Sequence, residues 1–188
     1  MTSLDYVLIV VGILVIALSA TQGVVRVFIM CVAFYLVCII AGMATLASGI
    51  IQNLAAGITE QLGGSAPPLA MAQVIVFVGL GFTLYIGSYF ISRAAYADTS
   101  IPELGGFDNV LGAVMGILLA IVVMAVLCNT WGIAANAPRL RGSNFWLQMK
   151  AAHTYSTLRP MLMQALGFYK QALFMFNYLE YPIFFIPR

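Results

Sequence analysis

The chain has 188 residues, 63% of them hydrophobic and only 7% charged, and its formal net charge is +2. A soluble domain carries roughly 25% charged residues, so the composition excludes an ordinary soluble protein. It also leaves no room for a separate soluble catalytic domain, which needs at least about 50 residues and its own core. A balance this close to neutral, without a clustered basic face, gives no reason to expect nucleic acid as a partner.

Asp, Glu, Lys and Arg are absent from Tyr6–Val25, Val27–Thr59, Gln61–Ser92 and Asn109–Pro138. A charge near the middle of a membrane helix costs about 2.5–3.5 kcal/mol even on the mildest scale, so these gaps predict four spanning helices. The expected fold is an all-α membrane protein with an interfacial helix after the second span and an amphipathic tail. The four-helix domain covers residues 1–131 and the aromatic-rich tail 132–188.

The first span is expected at 4–21. At about 1.5 Å per residue it just crosses a hydrocarbon core of about 30 Å. Ala17-Leu18-Ser19-Ala20 has the small residues of a signal cleavage site. The segment before it carries Asp5 and no Lys or Arg, so the helix is expected to be retained. Gln22, Gly23 and Arg26 make a tight return into the second span, 27–51. Ile50, Leu54, Ile58 and Leu62 then recur every fourth residue among polar neighbours, the stripe of a helix lying on the membrane surface. Gly63-Gly64-Ser65-Ala66-Pro67-Pro68 ends it.

The third span is expected at 69–92, with Arg93 at its exit. Asp108 opens the fourth span, 108–131, at the helix end whose dipole favours an anion. Trp131 closes it at interface depth. In the tail, Ser143–Arg159 is expected to form one amphipathic helix ending before Pro160. Met161–Tyr181 is expected to form a second. Its length would suffice to cross, but Lys170 would then sit near the midplane, so a surface position is expected. The positive-inside rule votes both ways. Arg26 and Arg93 place the first turn in the cytoplasm, whereas Arg139, Arg141 and Lys150 pull the tail there; the balance favours a cytoplasmic tail.

Catalytic constellations are missing from the sequence. It contains no HExxH, P-loop or Gly-x-Ser-x-Gly motif. The lone histidine, His153, reads as an interfacial polar residue. Cys31, Cys38 and Cys128 read as small apolar filler. The spans hold no ionisable group of the kind a proton- or ion-coupled transporter needs. An enzyme is therefore not expected, and no cofactor is called for, although an apolar bundle has room to seat lipid or pigment. Asp108, Arg26 and Arg93 share one membrane face, where they either pair or are solvated separately.

Small residues four apart supply the clearest pattern. Gly112, Gly116 and Ala120 make one flat strip, and Gly79, Thr83 and Gly87 make another. Such strips let two backbones approach closely in lipid. They predict helix-packing faces, directed at each other or at partner subunits.

Asp5-Tyr6 before an apolar helix, followed by Gly23-Val24-Val25-Arg26, resembles the start of the colicin V production protein (CvpA) family. Asp108-Asn109-Val110-Leu111-Gly112-Ala113-Val114-Met115-Gly116 resembles that family's Asp-Arg-x-x-Gly-x-x-x-Gly opening of the last span. The likeness covers roughly Asp5–Leu127. Asn109 stands in place of the motif's Arg, and Val27 and Phe28 stand where an acidic residue often follows the turn. The resemblance implies a bacterial inner-membrane protein linked to toxin or peptide production, secretion or envelope maintenance. It implies structural roles for Asp5, Gly23, Arg26, Asp108, Gly112 and Gly116. The departures in charge suit a second expectation, an accessory subunit of a photosynthetic, respiratory or secretion assembly that contacts membrane lipids and other membrane proteins.

Overall fold

Lipid offers no partner for backbone N–H and C=O groups, so a segment crossing it satisfies them internally as a helix. The computed structural model describes residues 1–47, 49, 51–54, 56–57, 69–95, 106–136 and 144–172, and its elements are all helices. They are α1 (Ser3–Gln22), α2 (Val24–Ala44), α3 (Leu69–Ala95), α4 (Gly106–Ala135), α5 (Asn144–Thr154) and α6 (Arg159–Ala172). The first four are long and apolar enough to cross a membrane. The chain is thus a multi-pass α-helical membrane protein.

One residue separates α1 from α2. Gly23 has φ 76° and ψ 162°, a left-handed value that a side chain disfavours, and it breaks the helix sharply enough to reverse the chain. α2 then stops at Ala44, seven residues short of the expected end at 51. Thr45 causes the stop. Its hydroxyl donates to Gly42 O at 2.6 Å and its N–H to Gly42 O at 3.1 Å, tightening the last turn. Gln73 of α3 donates its amide Nε2 to Thr45 O at 3.2 Å, so the freed carbonyl is satisfied across helices. Beyond the turn, 51–54 is helical and Ile51 is buried against Ala72. Most of the expected surface helix at 50–62 lies outside the described residues.

α4 is the central helix. It packs most extensively on α1 and also on α2, α3, α5 and α6. α1 and α4 run antiparallel, since Gly12 lies against Met124, Gly116 against Ser19 and Gly112 against Gly23. The core continues through Leu4, Leu8, Cys38, Phe77, Ala125 and Val126.

The tail departs from its expected form. α5 ends at Thr154 rather than at 159, because the N–H groups of Thr157 and Leu158 turn to the Asp5 carboxylate instead of continuing the helix. α6 does not lie apart from the bundle. Leu162 and Leu166 are buried and Tyr169 is half-buried. The Tyr169 ring meets Tyr35 edge-on at 6.5 Å, and a small space beside it is walled by Cys31, Phe34 and Leu118. These neighbours belong to the middle of α2 and α4, so α6 runs down the side of the bundle. Its Leu162–Leu166–Tyr169 stripe finds more apolar surface there than in the headgroups. Residues 173–188 and the Lys170 side chain lie outside the described residues.

Candidate functional site

A carboxylate near a membrane helix end needs donors, and two of this chain's aspartates find them at the starts of other helices. Asp5 lies in the first turn of α1 and is fully buried. Its Oδ2 accepts from Thr2 N at 2.7 Å and from Thr2 Oγ1 at 3.1 Å, closing the N-terminus of its own helix. The same carboxylate reaches the tail. Its Oδ1 accepts from Ser156 Oγ at 2.6 Å and from Leu158 N at 3.3 Å, and its Oδ2 from Thr157 N at 3.3 Å. Ser156 Oγ in turn accepts from Arg159 N at 3.2 Å. Asp5 and Ser156 together occupy the positive end of α6, and Pro160, lacking an N–H, sits without loss in its first turn.

Asp108 repeats the arrangement at the other end of the bundle. It is buried in the first turn of α4, and its Oδ1 accepts from Val24 N at 2.9 Å, the opening residue of α2. A Cβ on Gly23 would run into the Asp108 carboxylate. The sequence placed Asp108 at the start of its own helix and within pairing reach of Arg26 on α2, but did not reveal the bond to the α2 backbone. Its burial also removes the picture of an aspartate solvated alone among headgroups. Arg26 is half-buried in α2 and Arg93 exposed at the end of α3.

The expected packing strips have different destinations. The Gly112–Gly116–Ala120 strip packs within the chain. A Cβ on Gly112 would stand 2.8 Å from Ser19 O and 3.1 Å from Gly23 C, one on Gly116 would strike Ser19, and Ala120 is buried. The Gly79–Thr83–Gly87 strip does not face it. Nothing lies within 4 Å of a Cβ at Gly79 or Gly87, Gly79 and Thr83 are exposed, and the Thr83 hydroxyl turns back to Gly79 O at 2.8 Å.

His153 is only 4% exposed, so its ring is packed inside the protein. Its ring lies on Gly132, where a Cβ would meet the imidazole, and its Nε2 has no hydrogen-bond partner among the described residues. Burial pushes its pKa below the usual histidine value, and the Arg159 guanidinium adds to the effect. Trp131 Nε1 donates to Met149 O at 3.2 Å, fastening α5 to α4 beside it. The signal available in the sequence was Ser156-Thr157-Leu158-Arg159-Pro160, a helix-start pattern with a hydroxyl before a proline.

Among the described residues no three His, Cys, Asp or Glu side chains gather as a metal would require. A cleft of about 210 Å³ opens among the spans, walled by Phe34, Val37, Phe77, Tyr85, Val126 and Thr130. It is almost wholly apolar and suits hydrocarbon rather than a polar substrate. The chain matches no protein family, no curated protein and no solved structure.

Proposed function

We propose that this chain is a non-catalytic membrane protein, CvpA-like in plan, that supports peptide secretion or envelope maintenance in a bacterial inner membrane. One observation carries the non-catalytic part. The buried carboxylates of Asp5 and Asp108 are engaged in capping α6 and α2, the work of a frame rather than of a proton relay or a substrate site. The resemblance around Asp5, Gly23 and Asp108 supplies the biological setting. A second reading, an accessory subunit of a larger membrane assembly, is favoured by the exposed Gly79–Thr83–Gly87 strip, which suits close approach by a foreign helix.

Deletion in the host followed by complementation tests the proposal. Loss of the gene is expected to reduce peptide export or to sensitise the envelope to detergent, with rescue by the intact chain. An intact envelope and normal export would refute it. Purification in mild detergent decides between the readings: other subunits or a chromophore in fixed ratio would favour the accessory role.

A further inference from the structure

A phenol at the middle of a bilayer is unfavourable unless its hydroxyl has a partner. Phe34 stands at the middle of α2 (Val24–Ala44), and the Tyr85 ring of α3 meets it edge-on at 5.7 Å. Tyr85 is therefore held near mid-membrane. Its hydroxyl makes no hydrogen bond among the described residues. Thr130, the other hydroxyl residue on the cleft among the spans, is engaged within its own helix, donating to Val126 O at 2.7 Å.

Tyr85 is part of the wall of that cleft. Phe34 and Tyr85 close its mid-membrane end, and Ala41 and Thr130 its other end. Phe77 and Phe82 add two more rings to the walls. Gly81 lies where α3 crosses α2, and a Cβ there would stand 3.9 Å from Ala41 Cβ and 4.0 Å from Val37 Cγ1. Val78, Phe82 and Leu127 are exposed at the rim, so the cleft opens sideways to lipid between α3 and α4. Its volume of about 210 Å³ exceeds the roughly 150 Å³ of an apolar cavity that stays dry and takes up benzene.

These features select among apolar guests. A phospholipid chain would fill the space but offers Tyr85 no acceptor, because its ester carbonyls stay at the interface, about 15 Å from the midplane. Water needs about two to four polar partners, and the described walls supply only the Tyr85 hydroxyl. A flat ring bearing a carbonyl meets both demands. It packs against the aromatic walls, and its oxygen accepts from Tyr85. To reach this depth the molecule must itself dissolve in hydrocarbon. We propose that the cleft binds the head group of a lipid-soluble quinone, with one ring carbonyl on the Tyr85 hydroxyl and the alkyl chain leaving between α3 and α4 into the bilayer. The site is independent of whether the protein serves secretion or a larger complex.

The test uses the full chain in phospholipid nanodiscs and a 1,4-benzoquinone that carries a decyl chain. Saturable binding of about one quinone per chain is expected, above the partitioning seen in protein-free discs. The infrared band of an isotope-labelled ring carbonyl is expected to fall in frequency as it accepts the hydrogen bond. Tyr85→Phe keeps the ring and its contact with Phe34. It is expected to weaken binding about tenfold and to return the band to its position in protein-free discs. Decylbenzene, similar in shape but without an acceptor, is expected to bind at least about tenfold more weakly and to be indifferent to Tyr85→Phe. Gly81→Leu, which puts a side chain into the cleft, is expected to abolish saturable quinone binding. Quinone uptake no greater than in protein-free discs would overturn the proposal and leave lipid chains as the occupant. Equal affinities for quinone and decylbenzene, an unchanged affinity or band in Tyr85→Phe, or saturable binding that survives Gly81→Leu would overturn it as well.

Discussion

Replacing Asp5 by Ala should release the tail from the bundle. The carboxylate accepts from five donors: Thr2 N, Thr2 Oγ1, Ser156 Oγ, Thr157 N and Leu158 N. The two Thr2 bonds are only part-buried, and the two contacts at 3.3 Å are long. The Ser156 bond at 2.6 Å is short and buried. A hydrogen bond to a charged group contributes about 1.5–3 kcal/mol, and a buried donor left without a partner costs about 1–3 kcal/mol more. Asp5→Ala is therefore expected to cost about 3–5 kcal/mol, a large share of a total stability of about 5–15 kcal/mol. Asp5→Asn keeps an acceptor for Ser156 but turns its amide N–H groups toward Thr2 N or Thr157 N, so about half that loss is expected. Thermal unfolding in mild detergent gives the ranking, and tryptic cleavage after Lys150 reports release of the tail. A double-mutant cycle with Ser156→Ala isolates this contact between residues 151 positions apart. Unchanged protection of the tail in Asp5→Ala, or additive losses in the cycle, would refute the latch.

Three further outcomes follow from the geometry. Gly112→Ala should cost at least about 1–3 kcal/mol, because its Cβ meets the backbone of Ser19 and Gly23, which cannot yield alone. Gly79→Ala, with nothing within 4 Å, should be neutral or stabilising by up to about 1 kcal/mol; paired unfolding curves in detergent check both. Gly23→Ala should cost at least about 1–2 kcal/mol for its positive φ and displace the Asp108 carboxylate from Val24 N, seen as faster hydrogen exchange at the start of α2. For His153 the folded pKa lies below the unfolded value of about 6.5. The unfolded chain then binds the extra proton first, so stability is complete above about pH 6.5 and declines as pH falls toward the folded pKa. His153→Gln should flatten that decline below about pH 6.5, measured as the unfolding temperature.

The spans were legible because the bilayer enforces one rule along the whole chain: long runs without charge are helices. Their ends were less so. Thr45 stops α2 through local bonds and through Gln73, a residue of another helix, and no hydropathy pattern announces that. The strip at Gly112 and Gly116 was visible as spacing, but spacing does not name the partner, which is α1 of the same chain. The contact of α6 with the bundle was hidden for a related reason. Gln164 and Gln171 sit on one face of the helix while Leu162, Leu166 and Tyr169 sit on the other. Composition averages the two faces, whereas packing separates them.

The two aspartates were the hardest to read, since each has a sufficient local explanation. Both stand in the first turn of a long helix, where a carboxylate is expected anyway. The structure shows each one serving a second helix as well, 84 residues away for Asp108 and Val24 and 151 for Asp5 and Ser156. At the edge of a bilayer this sharing has a physical basis. Every helix start exposes N–H groups that its own turns cannot satisfy, and water there is scarce. Asp5, placed between two helix starts, meets both needs with a single charge, and Asp108 meets that of α2 from the first turn of α4. That economy ties α1 to α6 at one end and α4 to α2 at the other, so the packing of α1 on α4 is held at both ends by contacts distant in sequence. A loss at either aspartate should therefore loosen helices that it does not belong to, which a purely local N-cap would not do.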